Sequence, residues 1–307
     1  MEKPLSFSIL LPVGSEKRKY SHGDYFFGRS FADALERRGH KTKLLSRDNW
    51  DQTLADDIAI VIRGRAAPDR RFGRLTLAWC ISFQPKEVAG DYDHTDHFFA
   101  ASPLQQRVIS RRAGQGKVDL MYQAFDSHIM FPTDEKPTND LVFVGTPRSV
   151  DRRPVVSFAA QSGLPTRIWG DGWENTEFAS MQAGGNVQNS QLGSIYRSGS
   201  VVLNDHLVIM KRSQLVSNRV YDALACGRPV LTDAKAGLPE ELQPYVYEYR
   251  DADSFTEAAH AALNETEEKR QDRLDLALRL PDLHSFDQRA VQTCAVVERL
   301  LQADRQK

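Results

Sequence analysis

Residues 211–222 combine the residue types and spacing expected of a phosphate-binding segment. Lys211 and Arg212 are adjacent cations, and Ser217 is a good N-cap residue for the apolar-periodic stretch that follows. A helix beginning there would present free amides and a partial positive charge, to which the cations add. Asp222, one turn into that helix, could bond a ribose hydroxyl. The segment therefore predicts a phosphate site. The alternative is an ordinary helix, turn and strand of a buried sheet, with Lys211 and Arg212 as solvated loop charges.

Three more residues in this segment are candidate ligand contacts. Arg219 falls in the first helical turn, where a cation opposes the helix dipole, so it indicates either an anionic ligand or a buried acidic partner. Asn218 belongs to the same helix start and contributes its amide. Gln214 can bond sugar hydroxyls but carries no charge, which weakens any charge-dependent role at that position.

A second candidate loop is the run Gly170-Asp171-Gly172, which follows a predicted strand. Glycine lets the backbone approach a ligand closely. Asp-Gly is also a common turn dipeptide, so a plain β-turn is the alternative. Because Trp169 and Trp173 flank the run, we expect the loop to line the site.

His22 and Asp24 are titratable side chains that could act as general bases toward a ligand hydroxyl. They lie at the end of the polar loop 14–23, which follows the first predicted strand. Ligands of open α/β sheets gather at the carboxyl ends of strands, which favours this position. For Asp24 the alternative is capping the helix that follows.

Metal and thiol chemistry are not expected. Residues 91–97 are rich in Asp and His, but these do not recur at a ligand spacing, so we interpret the run as the entry to a strand. Cations and a helix N-terminus could hold a diphosphate without a metal. Cys80, Cys226 and Cys294 lie in apolar contexts and are predicted to be reduced core residues. Walker, G-x-G-x-x-G and nucleophile signatures are absent from the sequence.

Composition narrows the class of protein. The chain has 307 residues, which favours two domains. Its 40 basic and 41 acidic residues give a net charge of −1, so no global basic field argues for nucleic acid or a membrane surface. No apolar run approaches the roughly 20 residues of a transmembrane helix. The N-terminus leads straight into a strand rather than resembling a signal peptide, and we expect a cytoplasmic protein.

Short β-rich apolar runs separated by helix-length segments predict parallel α/β sheets. Capping-box patterns at Ser254 and Ser285 predict two helix starts, and the polar stretch 131–139 is the best candidate linker. The second of these helices has Ala290, Cys294, Val297 and Leu301 on one face. The predicted strands are 7–11, 42–45, 58–62, 75–81, 97–101, 141–145, 167–169, 201–204, 230–232 and 246–249.

Several motifs resemble those of a known enzyme family. The run S-N-R-V-Y-D-A-L-A-C-G at 217–227 is similar to the GT-B glycosyltransferase signature, a Glu followed by A-x-A-x-G-x-P-V, and more closely to the CgeB-like pattern S-N-R-x-[FY]-E-A-L-A-C-G. Asp222 occupies the Glu position. Departures from the family are Gln214, where an acid is common, and Phe83, where a histidine is common. Further matches, in order, are G-D-Y-F-F at 23–27, W-C-I-S at 79–82, F-V-G at 143–145, W-G-D-G-W at 169–173 and H-S-F-D-Q-R at 284–289.

The resemblance implies an α/β protein of the GT-B fold, with two Rossmann-like domains facing a central cleft. Residues 1–137 would form the acceptor-side domain and residues 138–289 the nucleotide-sugar-binding domain. A terminal helix, about 290–307, would pack back on the first. Such a protein transfers a sugar from a nucleotide-diphosphate sugar, as donor substrate and without a cofactor, to a glycan or other hydroxyl acceptor, here in surface glycan biosynthesis.

Two alternatives to a glycosyltransferase are open. The first is a catalytically degenerate GT-B protein that binds carbohydrate or assembles a coat, which Gln214 and Phe83 favour mildly. The second is a sugar-nucleotide epimerase of the same fold, which would turn over a sugar nucleotide without any acceptor.

Overall fold

The computed structural model describes residues 4–64, 68–82, 92–148 and 153–306. The chain divides into two compact units. Unit 1 comprises Met1–Gln123, Arg212–Leu215 and His284–Lys307, and unit 2 comprises Ala124–Lys211 and Val216–Leu283. Across the described ranges, no helix combines the length and apolar character needed to span a membrane.

Unit 1 is built on a six-stranded, all-parallel sheet with the order β2-β1-β3-β4-β5-β6. β3 and β4 are buried along their whole length, as expected of central strands covered on both faces. The strands are β1 Ser6–Leu10, β2 Lys41–Leu45, β3 Ile58–Arg63, β4 Leu75–Cys80, β5 His97–Ala100 and β6 Val118–Leu120, and the main helices are α1 Gly23–Arg37, α2 Pro103–Ala113 and α9 Phe286–Arg305.

Aromatic side chains join α1, α9 and the sheet of unit 1. The Trp79 ring of β4 lies 4.8 Å from Phe27 and 5.2 Å from Phe31, both on α1. Phe286, the first residue of α9, meets Phe27 edge-on at 4.9 Å. Phe286 of α9 therefore joins an aromatic cluster whose other members lie in the first 80 residues.

Unit 2 contains a second six-stranded parallel sheet with the order β12-β11-β10-β7-β8-β9. Its core includes Phe143, Trp173, Tyr249 and Phe255. The strands are β7 Asn139–Val144, β8 Thr166–Trp169, β9 Gln182–Gly184, β10 Gly199–Leu203, β11 Val230–Thr232 and β12 Val246–Glu248, and the helices are α3 Pro154–Ser162, α4 Leu192–Ser198, α5 Val208–Arg212, α6 Asn218–Ala225, α7 Ala252–Leu263 and α8 Glu267–His284.

Each sheet has one point where the strand order reverses. In unit 1 the chain moves from β1 to β2 on one side and then to β3 on the other. In unit 2 it moves outward from β7 through β8 and β9 and then returns to place β10 on the opposite side of β7. Loops diverge at such points and leave a crevice at the carboxyl ends of the strands, where open α/β sheets bind ligands.

The ten predicted strands are confirmed, with ends shifted by a residue or two, and the short strands β6 and β9 were not predicted. The predicted cap at Ser285 is also confirmed, since its side chain accepts from Gln288 N. The cap predicted at Ser254 is wrong. Asp251 caps α7, and Ser254 is the N3 partner of that capping box. The division of the chain after Gln123 lies earlier than the predicted boundary at 137, and residues 284–307 cluster with unit 1.

The three cysteines are free and buried, as predicted. The run 91–97 enters β5 as expected, although Asp91 lies outside the described residues. Within the described ranges, no group of three or more His, Cys, Asp or Glu side chains could hold a metal ion.

β5 contains a buried histidine whose charged form is disfavoured in the folded chain. His97 is 0 % exposed. Burial lowers the pKa of His97 from 6.5 to about 4, although Asp119, 3.2 Å from Nε2, opposes the shift. At pH values between about 4 and 6.5, His97 therefore binds a proton in the unfolded chain but not in the folded chain.

We expect this group to remove about 2 kcal/mol of the unfolding free energy between pH 7 and pH 5. The stability is fully present above pH 6.5 and is lost as the pH falls towards 4. Urea unfolding at both pH values measures the loss. In His97→Leu, the unfolding free energy should depend less on pH over this range. An equal pH dependence in parent and variant would contradict the role of His97.

Candidate functional site

The helix at the centre of the predicted phosphate segment forms as expected. α6 begins at Asn218, and the hydroxyl of its N-cap residue Ser217 accepts from the Arg219 amide at 3.4 Å. Gly227 ends the turn after the helix with φ +68°, where a β-carbon would also lie 2.8 Å from Leu274 Cδ2. The start of α6 faces the carboxyl end of β10, because the Ser217 amide bonds to a side chain just after that strand.

Two arginines that the sequence analysis did not select converge on one aspartate beside α6. Arg153 Nη1 lies 2.6 Å from Asp205 Oδ1, and Arg148 pairs with the other carboxylate oxygen. The side chains of Arg148, Arg153 and Asp205 are 16, 15 and 2 % exposed, respectively. Arg153 also donates to the Thr146 carbonyl and adopts a left-handed backbone, with φ +54°. Such strain in a non-glycine residue is found preferentially at functional sites.

Arg219 adds a third guanidinium to this group. It donates to the Val144 carbonyl at 2.8 Å and to Asn204 Oδ1 at 3.0 Å. The guanidinium carbons of Arg219 and Arg153 lie 5.0 and 5.3 Å from the centre of the Phe143 ring. We call Arg148, Arg153, Asp205 and Arg219 the arginine cluster. It lies at the ends of β7 and β10, which is the reversal point of the second sheet.

The arginine cluster has more positive than negative charge. Its four residues comprise three guanidinium groups and one carboxylate, which pairs with Arg148 and Arg153, so the cluster has a formal surplus of two positive charges. Burial, with smaller contributions from Arg219 and Arg148, lowers the pKa of Arg153 to about 10, although Asp205 opposes the shift. A surplus of positive charge in a partly desolvated position stabilises a bound anion.

Lys211 and Ser217 are connected through two further side chains. Lys211 Nζ lies 3.0 Å from Asp233 Oδ2, and its side chain is 39 % exposed. His206 Nδ1 lies 2.7 Å from the other oxygen of Asp233, and His206 Nε2 lies 3.0 Å from the Ser217 amide. Arg212 and Gln214 fall in the segment that clusters with unit 1, and Gln214 has a left-handed backbone with φ +52°. Lys211, Ser217 and Arg219 are thus brought together within unit 2.

Asp222 lies inside unit 2 rather than on its surface. It is 6 % exposed and accepts from Asn218 Nδ2 at 3.1 Å. Burial raises the pKa of Asp222 well above its usual range, Arg219 opposes the shift and Asp126 adds to it. Its contact with a ribose stays a prediction.

The loop Gly170-Asp171-Gly172 packs on the loop after β7. A β-carbon at Gly170 (φ +144°) would lie 2.4 Å from the Gly145 carbonyl oxygen, so close packing requires glycine there. Asp171 Oδ1 accepts from the Asn186 amide at 2.7 Å. Packing alone therefore explains why glycine occurs in this loop, and contact with a ligand stays a prediction. A cavity of about 350 Å³ adjoins the loop, lined by Trp169, Gly184, Gly185, Asn186, Val187, Gln191, Ser194 and Ile195.

His22 and Asp24 lie at the start of α1, next to the reversal point of the first sheet. His22 is the N-cap residue of α1 and is exposed. Asp24 is in the first turn, so the alternative that Asp24 caps the helix is wrong. Burial raises the pKa of Asp24, and the charge of His22 opposes the shift. A raised carboxyl pKa is found at many groups that transfer protons.

The sequence analysis missed Arg148, Arg153, Asp205, His206 and Asp233. A usable signal was present, because charged residues occur in the loops that follow β7, β10 and β11, and these three strands are adjacent in the sheet. The departure from the family at Phe83 lies outside the described residues.

Comparisons with known proteins agree with this fold. Residues 148–295 match the family described as Glycosyl transferase-like. None of the curated protein sequences compared with the chain matched it. The structure is similar to AviGT4, a glycosyltransferase of avilamycin A biosynthesis, with 18 % identity, a TM-score of 0.64 and coverage of 98 % of this chain and 99 % of that one.

Two other solved structures share the fold. Anabaena HepE, in complex with UDP and glucose, has 12 % identity, a TM-score of 0.64 and coverage of 96 % of this chain and 100 % of that one. The β-glucosyltransferase of phage T4, in complex with UDP-glucose, has 8 % identity, a TM-score of 0.58 and coverage of 96 and 99 %. The chain therefore has the GT-B fold, and with the match over residues 148–295 these comparisons support a glycosyltransferase family.

Proposed function

We propose that this protein is a CgeB-like glycosyltransferase that moves a sugar from a nucleotide-diphosphate sugar to a hydroxyl acceptor in surface glycan biosynthesis. The observation that carries the proposal is the arginine cluster at the reversal point of the second sheet. Sugar transfer releases a nucleoside diphosphate, so negative charge develops on the leaving group in the transition state. Fixed cations that face this charge lower the barrier.

The cluster fits a diphosphate better than a neutral ligand. Arg153 and Arg219 are held by carbonyl and side-chain acceptors, so little reorganisation is needed when an anion arrives. The amides at the start of α6 add donors of the right polarity. Lys211 and Arg212 would contribute further positive charge, although Lys211 is partly neutralised by Asp233.

The nucleoside would lie beside the diphosphate. The cavity next to Trp169 has an aromatic wall and main-chain amides, which suit a base. The loop Gly170-Asp171-Gly172 and Gln214 are proposed to contact the sugar or phosphate. HepE was crystallised with UDP-glucose, and so was the T4 enzyme, which makes UDP-sugars the first donors to test.

Transfer is expected to need no divalent metal, because the arginine cluster and the α6 amides can neutralise the diphosphate. Activity should therefore persist in EDTA at its level in untreated protein. A loss in EDTA that manganese or magnesium restores would contradict this expectation.

A ligand screen tests the proposed function. Thermal unfolding is measured with UDP, GDP, dTDP, CDP and their sugars, since a ligand at 100 times its dissociation constant adds about 2.7 kcal/mol of stability. Labelled sugar from the donor found is then followed into hydroxyl acceptors. Tight binding without transfer or hydrolysis would indicate the degenerate carbohydrate-binding protein, and conversion of the donor sugar without acceptor would indicate an epimerase. Failure of every nucleotide to bind would refute the proposal.

Asp222→Asn is expected to weaken nucleoside diphosphate binding about tenfold and to reduce the preference for ribose over dideoxyribose. The variant keeps the shape of the side chain and its contact with Asn218 while removing the carboxyl group. Calorimetry with both nucleotides measures the two effects. If the variant discriminates the two sugars as well as the parent does, Asp222 serves the interior of unit 2 and not the ribose.

A further inference from the structure

We propose that His206 is a positioning residue for nucleotide binding: its imidazole holds the start of α6 by accepting from the Ser217 amide, and Asp233 at the end of β11 holds the imidazole in the tautomer that can accept. The inference rests on the function proposed above, because it concerns the same site. It names a residue through which the geometry of that site is held.

The contacts of His206 define which ring nitrogen carries the proton. The ring is buried, with 3 % of the residue exposed. The Ser217 amide, 3.0 Å from Nε2, can only donate, so Nε2 must accept. Nδ1 therefore carries the hydrogen and donates to Asp233 Oδ1 at 2.7 Å. The side-chain amide of Asn204 lies 3.2 Å from Nε2 and also has hydrogens to donate.

Asp233 is well suited to hold this tautomer. Its Oδ1 also accepts from the His206 amide at 3.0 Å, and its Oδ2 pairs with Lys211. Although burial raises it, hydrogen bonds from His206 and Lys211 keep the pKa of Asp233 below its ordinary value. The aspartate thus remains an acceptor, and the imidazole keeps its lone pair directed at Ser217.

A contact that holds Ser217 in place also holds the groups at the start of α6 that would bind a diphosphate. Ser217 is the N-cap of α6, and its hydroxyl accepts from the Arg219 amide. The Arg219 side chain is held separately by Asn204 and the Val144 carbonyl. His206 therefore orients the helix start while Asn204 orients the guanidinium. A site ordered before the ligand arrives loses less entropy on binding.

Two substitutions separate the two bonds of the imidazole. In His206→Gln, Oε1 can occupy the place of Nε2 and accept from Ser217, while the bond to Asp233 is lost. In His206→Asn, Nδ2 can occupy the place of Nδ1 and donate to Asp233, while the bond to Ser217 is lost. Each variant removes one hydrogen bond from the same buried position, so a purely structural role predicts similar effects for both.

We expect His206→Asn to weaken nucleoside diphosphate binding about tenfold and His206→Gln to change it less than about threefold. Hydrogen exchange of the Ser217–Arg219 amides, measured without ligand, should accelerate in the Asn variant only. The exposed His260 on α7 provides the matched control, because His260→Asn should change neither quantity.

The two readouts distinguish the possible failures. Equal exchange in both His206 variants, or equal nucleotide affinity in both, overturns the positioning role even if the parent binds nucleotide well. A parent protein that binds none of the nucleotides refutes the proposed function and the role of His206 in binding, while the exchange data still report whether His206 holds the helix start.

Discussion

Asp24→Asn is expected to lower turnover by roughly 10²–10⁴-fold while leaving donor binding unchanged. A sugar hydroxyl is a weak nucleophile, and an inverting transfer needs a base to take its proton. Asp24 lies at the reversal point of the first sheet, in the first turn of α1, where burial raises its pKa. Steady-state rates with saturating donor measure the loss, and calorimetry checks donor binding.

The raised pKa gives this prediction a second readout. A base must be deprotonated, so as the pH is lowered the rate of the parent should begin to fall at a higher pH than it would with an ordinary aspartate. The pH–rate profile of the variant should lack this decrease. Asp33→Asn, which removes a carboxylate from the exposed side of α1, is the control and should be near parental. If both Asp24→Asn and His22→Ala keep near-parental turnover, the base lies elsewhere or the transfer retains configuration.

Arg153→Gln is expected to weaken nucleoside diphosphate binding by roughly 10–100-fold, the effect of losing one charge-assisted hydrogen bond. The substitution also reduces the surplus of positive charge in the arginine cluster. Calorimetry at fixed ionic strength measures the change. Arg167→Gln removes a charge from an exposed position on β8 of the same unit and should have little effect.

A comparison with Lys211 and Arg212 sharpens this test; the two cations lie at the end of α5 and not in a loop as the sequence predicts. The Lys211→Ala/Arg212→Ala variant should weaken binding less than Arg153→Gln does, because both side chains are more exposed and Lys211 already pairs with Asp233. Arg153→Lys, which keeps the charge and loses the guanidinium geometry, should fall between parent and Arg153→Gln. If all three variants bind nucleoside diphosphate as tightly as the parent, the diphosphate does not bind at this end of the second sheet.

Features set by neighbouring residues could be predicted from the sequence. The N-cap Ser217, the helix after it and the left-handed Gly227 depend on contacts within one turn. The start of α7 shows the limit of such reasoning. The sequence predicts a cap at Ser254, but the helix begins after Asp251, and both residues take part in the capping box.

The arginine cluster could not be read from spacing alone. Arg153 meets Asp205 across 52 positions of the chain, and their contact depends on β10 lying beside β7. A run of charged residues after one strand is equally consistent with a solvated loop. Knowing the order of the strands is what makes Arg148, Arg153 and Asp205 neighbours, and that order follows from long-range packing. Asp222 illustrates the converse, since its position on α6 was predictable and its burial was not.

The interleaving of the two units has a consequence for synthesis. Residues 284–307 are synthesised after all of unit 2, yet they belong to unit 1, and Phe286 packs against Phe27 and Trp79. Unit 2 therefore becomes complete while the first unit still lacks its final helix. During that interval the aromatic surface of α1 and β4 has no permanent cover, and a chain that stops before residue 284 would leave it exposed to aggregation.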